Sequence, residues 1–176
     1  MIEIPINKHM IEYGEGVLKH KNLGTRRAGF NGTPAQQLTG ILGELAIYEI
    51  MNWSYPSYED FHQDDIIIGE KKIDVKTRGS KYDMKPDWAH NIVMYQLPKL
   101  SPYIIFCNHN RVKEHIQVCG YLTKDEIEKL LVKTDKGGVK KRDDGTWFRT
   151  GAPHGEVYQK QLHDISVATD LENLDW

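Results

Sequence analysis

Cysteine is nearly missing from this chain: Cys107 and Cys119 are the only two in 176 residues, and they lack CxxC spacing. That excludes a zinc knuckle and a disulfide-stapled scaffold, and leaves two small apolar side chains expected to be buried and reduced. Apolar runs are short as well. No stretch approaches the ~18 residues of a membrane span, and Met1-Ile2-Glu3-Ile4-Pro5 has neither the basic start nor the apolar core of a signal peptide. A cytoplasmic protein that does not enter a membrane is the expectation. A net positive charge is also absent, because 23 basic and 25 acidic residues give a formal charge of -2. Any attraction for phosphate therefore has to be local. The eight histidines show no HExxH and no paired spacing that would suggest a zinc site, and internal repeats and low-complexity tracts are lacking.

What is present is the composition of a soluble globular protein, 39% hydrophobic and 27% charged. The length suits a single domain over residues 1–176, large enough to bury about two thirds of its unfolded surface. The first thirty residues read as a short helix and then an irregular loop around Arg26-Arg27. Thr33-Pro34-Ala35-Gln36 is a helix start, with Thr as N-cap, Pro at the first helical position and Gln three residues after the cap. This helix is predicted to run to about Met51, largely covered by its many apolar residues. Glu44 is one of only two charged residues between Thr33 and Met51, the other being Glu49. A carboxylate among apolar neighbours needs a partner, which can be a metal or a structural cation.

Asp64-Asp65-Ile66-Ile67-Ile68, Gly69-Glu70-Lys71 and Lys72 to Thr77 read as a β-hairpin with a Gly-containing turn. Further strands are expected over His90 to Leu97, Ser101 to Asn108 and Glu114 to Leu122, and a capped helix from Thr123 to about Val132. Residues 133–153, rich in Gly, Lys and Asp, read as a long surface loop or flexible hairpin. A strand and a terminal helical turn close the chain.

The run Lys72-Ile73-Asp74-Val75-Lys76-Thr77 carries the chemistry. Strand alternation puts Ile73, Val75 and Thr77 on one face and Lys72, Asp74, Lys76 and Arg78 on the other. The chain holds three acid-x-Lys tripeptides, Glu70-Lys71-Lys72, Asp74-Val75-Lys76 and Asp83-Met84-Lys85. The first falls in the predicted turn and the third in a polar loop before Pro86, where both charges are expected to be solvated. Only the second is interleaved with buried apolar residues. Mg²⁺ prefers oxygen ligands and needs one or two carboxylates plus a substrate phosphate. A lysine two residues after a ligand carboxylate points the same way, about 7 Å along the strand, where it can orient water or stabilise charge on phosphorus.

This arrangement resembles the PD-(D/E)xK nuclease superfamily, which includes restriction endonucleases, Holliday-junction resolvases and phage exonucleases. The resemblance covers roughly residues 33–108. It matches the family's helix glutamate to Glu44, its hairpin aspartate to Asp65 (with Asp64 as the adjacent alternative), and its acid-x-Lys signature to Asp74 and Lys76. No proline precedes the hairpin aspartate, which departs from the family motif. The resemblance implies an α/β, restriction-endonuclease-like fold, a mixed central sheet flanked by helices. It implies a Mg²⁺-dependent deoxyribonuclease, with Mn²⁺ able to substitute and Glu44, Asp65 and Asp74 as metal ligands. An endonuclease is preferred because no feature marks a ring or a strand-end pocket, with an exonuclease as the alternative.

DNA is the expected partner, and a homodimer would supply two sites for cutting both strands. Arg26, Arg27, Arg78, Lys140, Lys141 and Arg142 are the candidate nucleic-acid contacts. Gln96 is a possible accessory residue, and the tryptophans and tyrosines supply rings able to stack on bases, although most are expected to pack. The rival readings are a nucleic-acid-binding protein on the same fold without catalysis, and an accessory protein whose hairpin matches the motif by chance.

Overall fold

Thr33 opens the longest helix in the way its sequence requires. Its hydroxyl accepts from the Gln36 backbone N–H at 3.3 Å, and the Gln36 side-chain oxygen accepts from the Thr33 N–H at 2.7 Å. These bonds satisfy two donors that no helical carbonyl reaches. A computed structural model describes residues 1–21, 32–61, 66–141, 147–151 and 153–172. Strand β1 (Ile2–Pro5) and helix α1 (Lys8–Lys21) come first, then α2 (Pro34–Ile50), which ends at Met51 ahead of Asn52 in the left-handed region (φ 52°). The predicted hairpin follows as β2 (Ile66–Ile68) and β3 (Lys71–Ser80), turning at Gly69, whose φ of +62° suits a residue without a Cβ. Next are β4 (Ala89–Val93), β5 (Tyr103–Asn110), β6 (His115–Thr123) and α3 (Lys124–Leu130), the last capped by Thr123 with Glu126. The chain continues through β7 (Val132–Thr134), β8 (Val139–Lys141), β9 (Trp147–Arg149), β10 (His154–Tyr158) and α4 (Ala168–Glu172).

The fold is mixed α/β. The main sheet has the order β1-β6-β5-β3-β2, with β3 and β5 parallel and every other neighbouring pair antiparallel. A second sheet, β4-β10-β7, is antiparallel, and β8 and β9 form a two-stranded ribbon. One sequence expectation changes: the first thirty residues hold a strand as well as a helix. Of the two readings of residues 133–153, loop or hairpin, the antiparallel β8–β9 pair agrees with the hairpin. A bulge between Phe106 and Cys107 lets β6 shift its alternation, so Val118 and Tyr121 both face the helices.

The parallel pair explains the core. Strands joined in this way are covered on both faces, and an apolar cluster lies on each side of β3 and β5. On one side Ile73, Ile105 and Cys107 meet Ile41 and Leu45 of α2 and Met10 and Val17 of α1. On the other, Ile104 and Phe106 meet Ile92, Ile127 and Val157. Each fully buried side chain of this size contributes roughly 1.5–3 kcal/mol. Both cysteines are buried and free, as expected.

Helix α2 lies directly on β3 because residue 43 has no side chain. A Cβ at Gly43 would stand 1.8 Å from Thr77 Oγ1 and 2.9 Å from Thr77 Cβ. Gly43→Ala would gain about 1 kcal/mol of helix propensity, but an overlap of this depth costs about 1–3 kcal/mol or more. The expected outcome is a net loss of about 1–2 kcal/mol in urea unfolding, partly restored by adding Thr77→Ala, which removes the nearer atom. An unchanged urea midpoint for Gly43→Ala would show that the two elements do not meet there.

Candidate active site and nucleic-acid interface

The register of the hairpin sets the site. Ile66 pairs with Ile73, so β2 begins one residue short of Asp74. Beyond that point β3 continues along β5, with Asp74 opposite Ile104, Lys76 opposite Phe106 and Arg78 opposite Asn108. Alternation sends Asp74, Lys76 and Arg78 to the face away from α2, because Thr77 is the residue that meets Gly43. Asp74 Oδ2 lies 2.8 Å from Lys76 Nζ, with 21% of the Asp74 and 23% of the Lys76 side chain exposed. The buried rings and methyls beside the pair shield it from water, which strengthens it relative to a surface ion pair of ~1 kcal/mol or less.

Glu44 stands differently. It follows Gly43 on α2, and its charge raises the pKa of Tyr48, Tyr13 and Cys107, a secondary contribution after burial in each case. Those groups belong to the helix side of the sheet. The structure therefore brings Asp74 and Lys76 together, and Glu44 follows the glycine that seats α2 on the strand carrying them. Asp65, its neighbour Asp64, and Arg26, Arg27 and Arg142 lie outside the described residues.

Arg78 is held in place from two directions. Its Nη1 donates to the Ala89 carbonyl at 2.7 Å, and its guanidinium lies 5.4 Å from the centroid of the Trp88 ring, with Lys85 Nζ 5.3 Å from the same centroid. From Arg78 onward the row opens into a cavity of about 620 Å³. Among the described residues five cationic ones line it, Arg78, Lys81, Arg111, Lys140 and Lys141, against two acids, Asp87 and Glu156. Tyr82, Trp88 and Tyr158 add aromatic rings. Gln36 reaches the wall from the first turn of α2, so the positive end of that helix faces the same space.

Three of the expected nucleic-acid contacts, Arg78, Lys140 and Lys141, thus meet in one cavity although the main sheet carries the first and the β8–β9 ribbon the other two. Lys81 and Arg111 were not foreseen. Arg111 lies across Gly79, where a Cβ would come within 2.2 Å of Nη2. The glycine after Arg78 was the available signal. Gln96 sits in a turn after β4, not in the strand expected there.

The third acid-x-Lys tripeptide is not the solvated pair that its loop suggested. Asp83 Oδ1 accepts from Asn110 Nδ2 at 2.7 Å and lies 3.0 Å from His115 Nε2, while Oδ2 pairs with the Lys113 ammonium. The Lys113 hydrogen bond, then that of Asn110, holds the Asp83 carboxyl below the usual range. Glu3, Asp83 and His115 place one donor atom each within 4.8 Å of one another. This grouping could accept a cation, but Lys113 already supplies a positive charge to Asp83.

Two histidines near the cavity are neutral at pH 7. His90 is almost wholly buried against Phe106, with Nε2 3.0 Å from Gln159 Oε1 and Nδ1 buried without a hydrogen-bond partner. Burial, opposed by the Gln159 bond and reinforced by Arg78, lowers its pKa to about 4. His109 also falls to about 4, through burial and then the charge of Arg111. Family models, curated proteins and solved structures give no match to this chain.

A lowered folded-state pKa means that the unfolded chain binds protons first as pH falls. The stabilisation from keeping His90 neutral is complete above its unfolded value near 6.5 and is lost as pH drops toward 4. Urea unfolding at about pH 5 is therefore expected to show about 2 kcal/mol less stability from His90 alone than at neutral pH. His90→Leu should flatten that slope, and an equally steep slope in the variant would reject the assignment.

Proposed function

We propose that this protein is a Mg²⁺-dependent deoxyribonuclease of the PD-(D/E)xK type, with a restriction-endonuclease-like fold, that hydrolyses DNA phosphodiester bonds. The observation that carries the reading is that the Asp74–Lys76 row runs, through Arg78, into a cavity lined by five cations. The order of elements agrees with it: a capped helix bearing Glu44, then the hairpin, then a mixed sheet in which β3 is interior.

Asp74 is a half-buried carboxylate beside an ammonium, and the available donors are oxygens, which suits a hard divalent cation. Asp74, with Asp65 and Glu44 as the further carboxylates that the resemblance supplies, would hold Mg²⁺. When bound, the ion supplies charge neutralisation at the phosphate and a water of lowered pKa. Lys76 stands one alternation along the strand from Asp74, where its ammonium can move from the carboxylate to a scissile phosphate and stabilise the charge that develops there. Arg78, Lys81, Arg111 and Lys141 would grip the adjoining backbone, and a rigid Arg78 does so with little loss of side-chain freedom.

A second reading has its own support. The direct Asp74–Lys76 pairing fits a protein that binds nucleic acid through the cavity without cutting it.

Closed circular and linear DNA incubated with the protein and Mg²⁺ or Mn²⁺ separate the readings. We expect the closed circle to be cut, as an endonuclease requires, and Asp74→Ala and Lys76→Ala each to lower the rate about 100-fold or more. Cleavage of no DNA form, or equal cleavage by Asp74→Ala, rejects the nuclease. DNA binding that persists without cleavage and weakens steeply with salt selects the second reading.

A further inference from the structure

Inside a cavity rimmed by cations, a carboxylate is misplaced for phosphate. Glu156 is only 9% exposed, yet it lines the cavity, paired with Lys140 across to the ribbon. The register of β10 with β4 sets it directly beside Asn91, another lining residue. Paired with Lys140, this carboxylate leaves no net positive charge to hold a phosphate there. The edge of a base that carries an amino group is attracted, because carboxylate and amide oxygens accept hydrogen bonds from it.

A second feature adjoins this floor. Trp147 is 66% exposed on β9, opposite Lys141 in register, with Lys141 Nζ 5.9 Å from its ring centroid. An open indole next to a cation that lines the cavity is the arrangement by which proteins stack the bases of unpaired strands. The dimensions suit a strand. At about 620 Å³ the cavity has the size of a pocket for a small organic ligand, which suits a single nucleotide. Stacking in a duplex would also hide the base face that Trp147 could touch.

We propose that the cavity takes an unpaired nucleotide of a single-stranded nucleic acid. Its phosphates run along Arg78, Arg111 and Lys141, its base presents an amino edge to Glu156 and Asn91, and a neighbouring base stacks on Trp147. The inference rests on the nucleic-acid reading of the cavity and does not depend on cleavage.

Fluorescence anisotropy of the full chain in EDTA, with short labelled oligonucleotides at fixed salt, tests it. Oligo(dC) and oligo(dA) are expected to bind at least about 5-fold more tightly than oligo(dT), and all three more tightly than a blunt duplex of the same length. Trp147→Ala, with its circular dichroism unchanged, should weaken strand binding about 10-fold, and Asn91→Ala should narrow the difference between dC and dT. A duplex bound as tightly as a strand, equal affinity for dC and dT, or a Trp147→Ala variant that binds normally overturns the proposal. Loss of cleavage with strand binding intact removes the nuclease reading alone. Loss of strand binding with cleavage intact removes this one alone.

Discussion

The contact of Gly43 with Thr77 governs the arrangement of this protein. Helix α2 can lie on β3 only because a hydrogen atom stands where any other residue would place a methyl group. Once the helix is seated there, the odd-numbered side chains of β3 belong to its cluster and the even-numbered ones must point the other way. The same seating directs the first turn of α2, at Gln36, toward the cavity. Asp74, Lys76 and Arg78 thus owe their common direction to a glycine on a different element. The hydrogen bonds of Thr33 and Gln36 fix where that helix begins, and so which end of its dipole faces the cations.

Local signals were legible in the chain and distant ones were not. Thr33, Pro34 and Gln36 announced the start of α2, and the turn at Gly69 announced the hairpin, because each depends on neighbours within a few residues. The strand alternation that isolates Asp74 and Lys76 is equally local. Strand β1 escaped notice, since four residues carry little periodicity and their partners lie at His115 to Val118. The bonds of Asp83 to Asn110 and Lys113 were hidden for the same reason. The cavity is an extreme case, with Gln36, Arg78, Arg111, Lys140 and Glu156 assembled from five separate segments. Composition concealed it further, because a formal charge of -2 gives no hint that cations gather on one wall.

That gathering has a physical logic. Like charges concentrated around a concave surface repel one another, and the fold offsets the repulsion locally. Lys140 is matched by Glu156, Arg78 rests on Trp88 and the Ala89 carbonyl, and Lys141 lies near Trp147. Two histidines near this wall, His90 and His109, stay uncharged at neutral pH and add nothing to the repulsion. The result is a positive concavity on a protein whose total charge is slightly negative, which limits indiscriminate attraction to polyanions while leaving one place for them.

The sheet order also bears on how the molecule is reached from the unfolded chain. Strands β5 and β6 are joined by a tight connection and can pair early, whereas the described partner of β1 is β6, with Ile2 opposite Val118. Closing that span removes chain entropy before a single contact of β1 repays it. A four-residue outer strand with so distant a partner joins an assembly that is already formed. As an outer strand, it can also be released by a local opening that leaves the central strands in place.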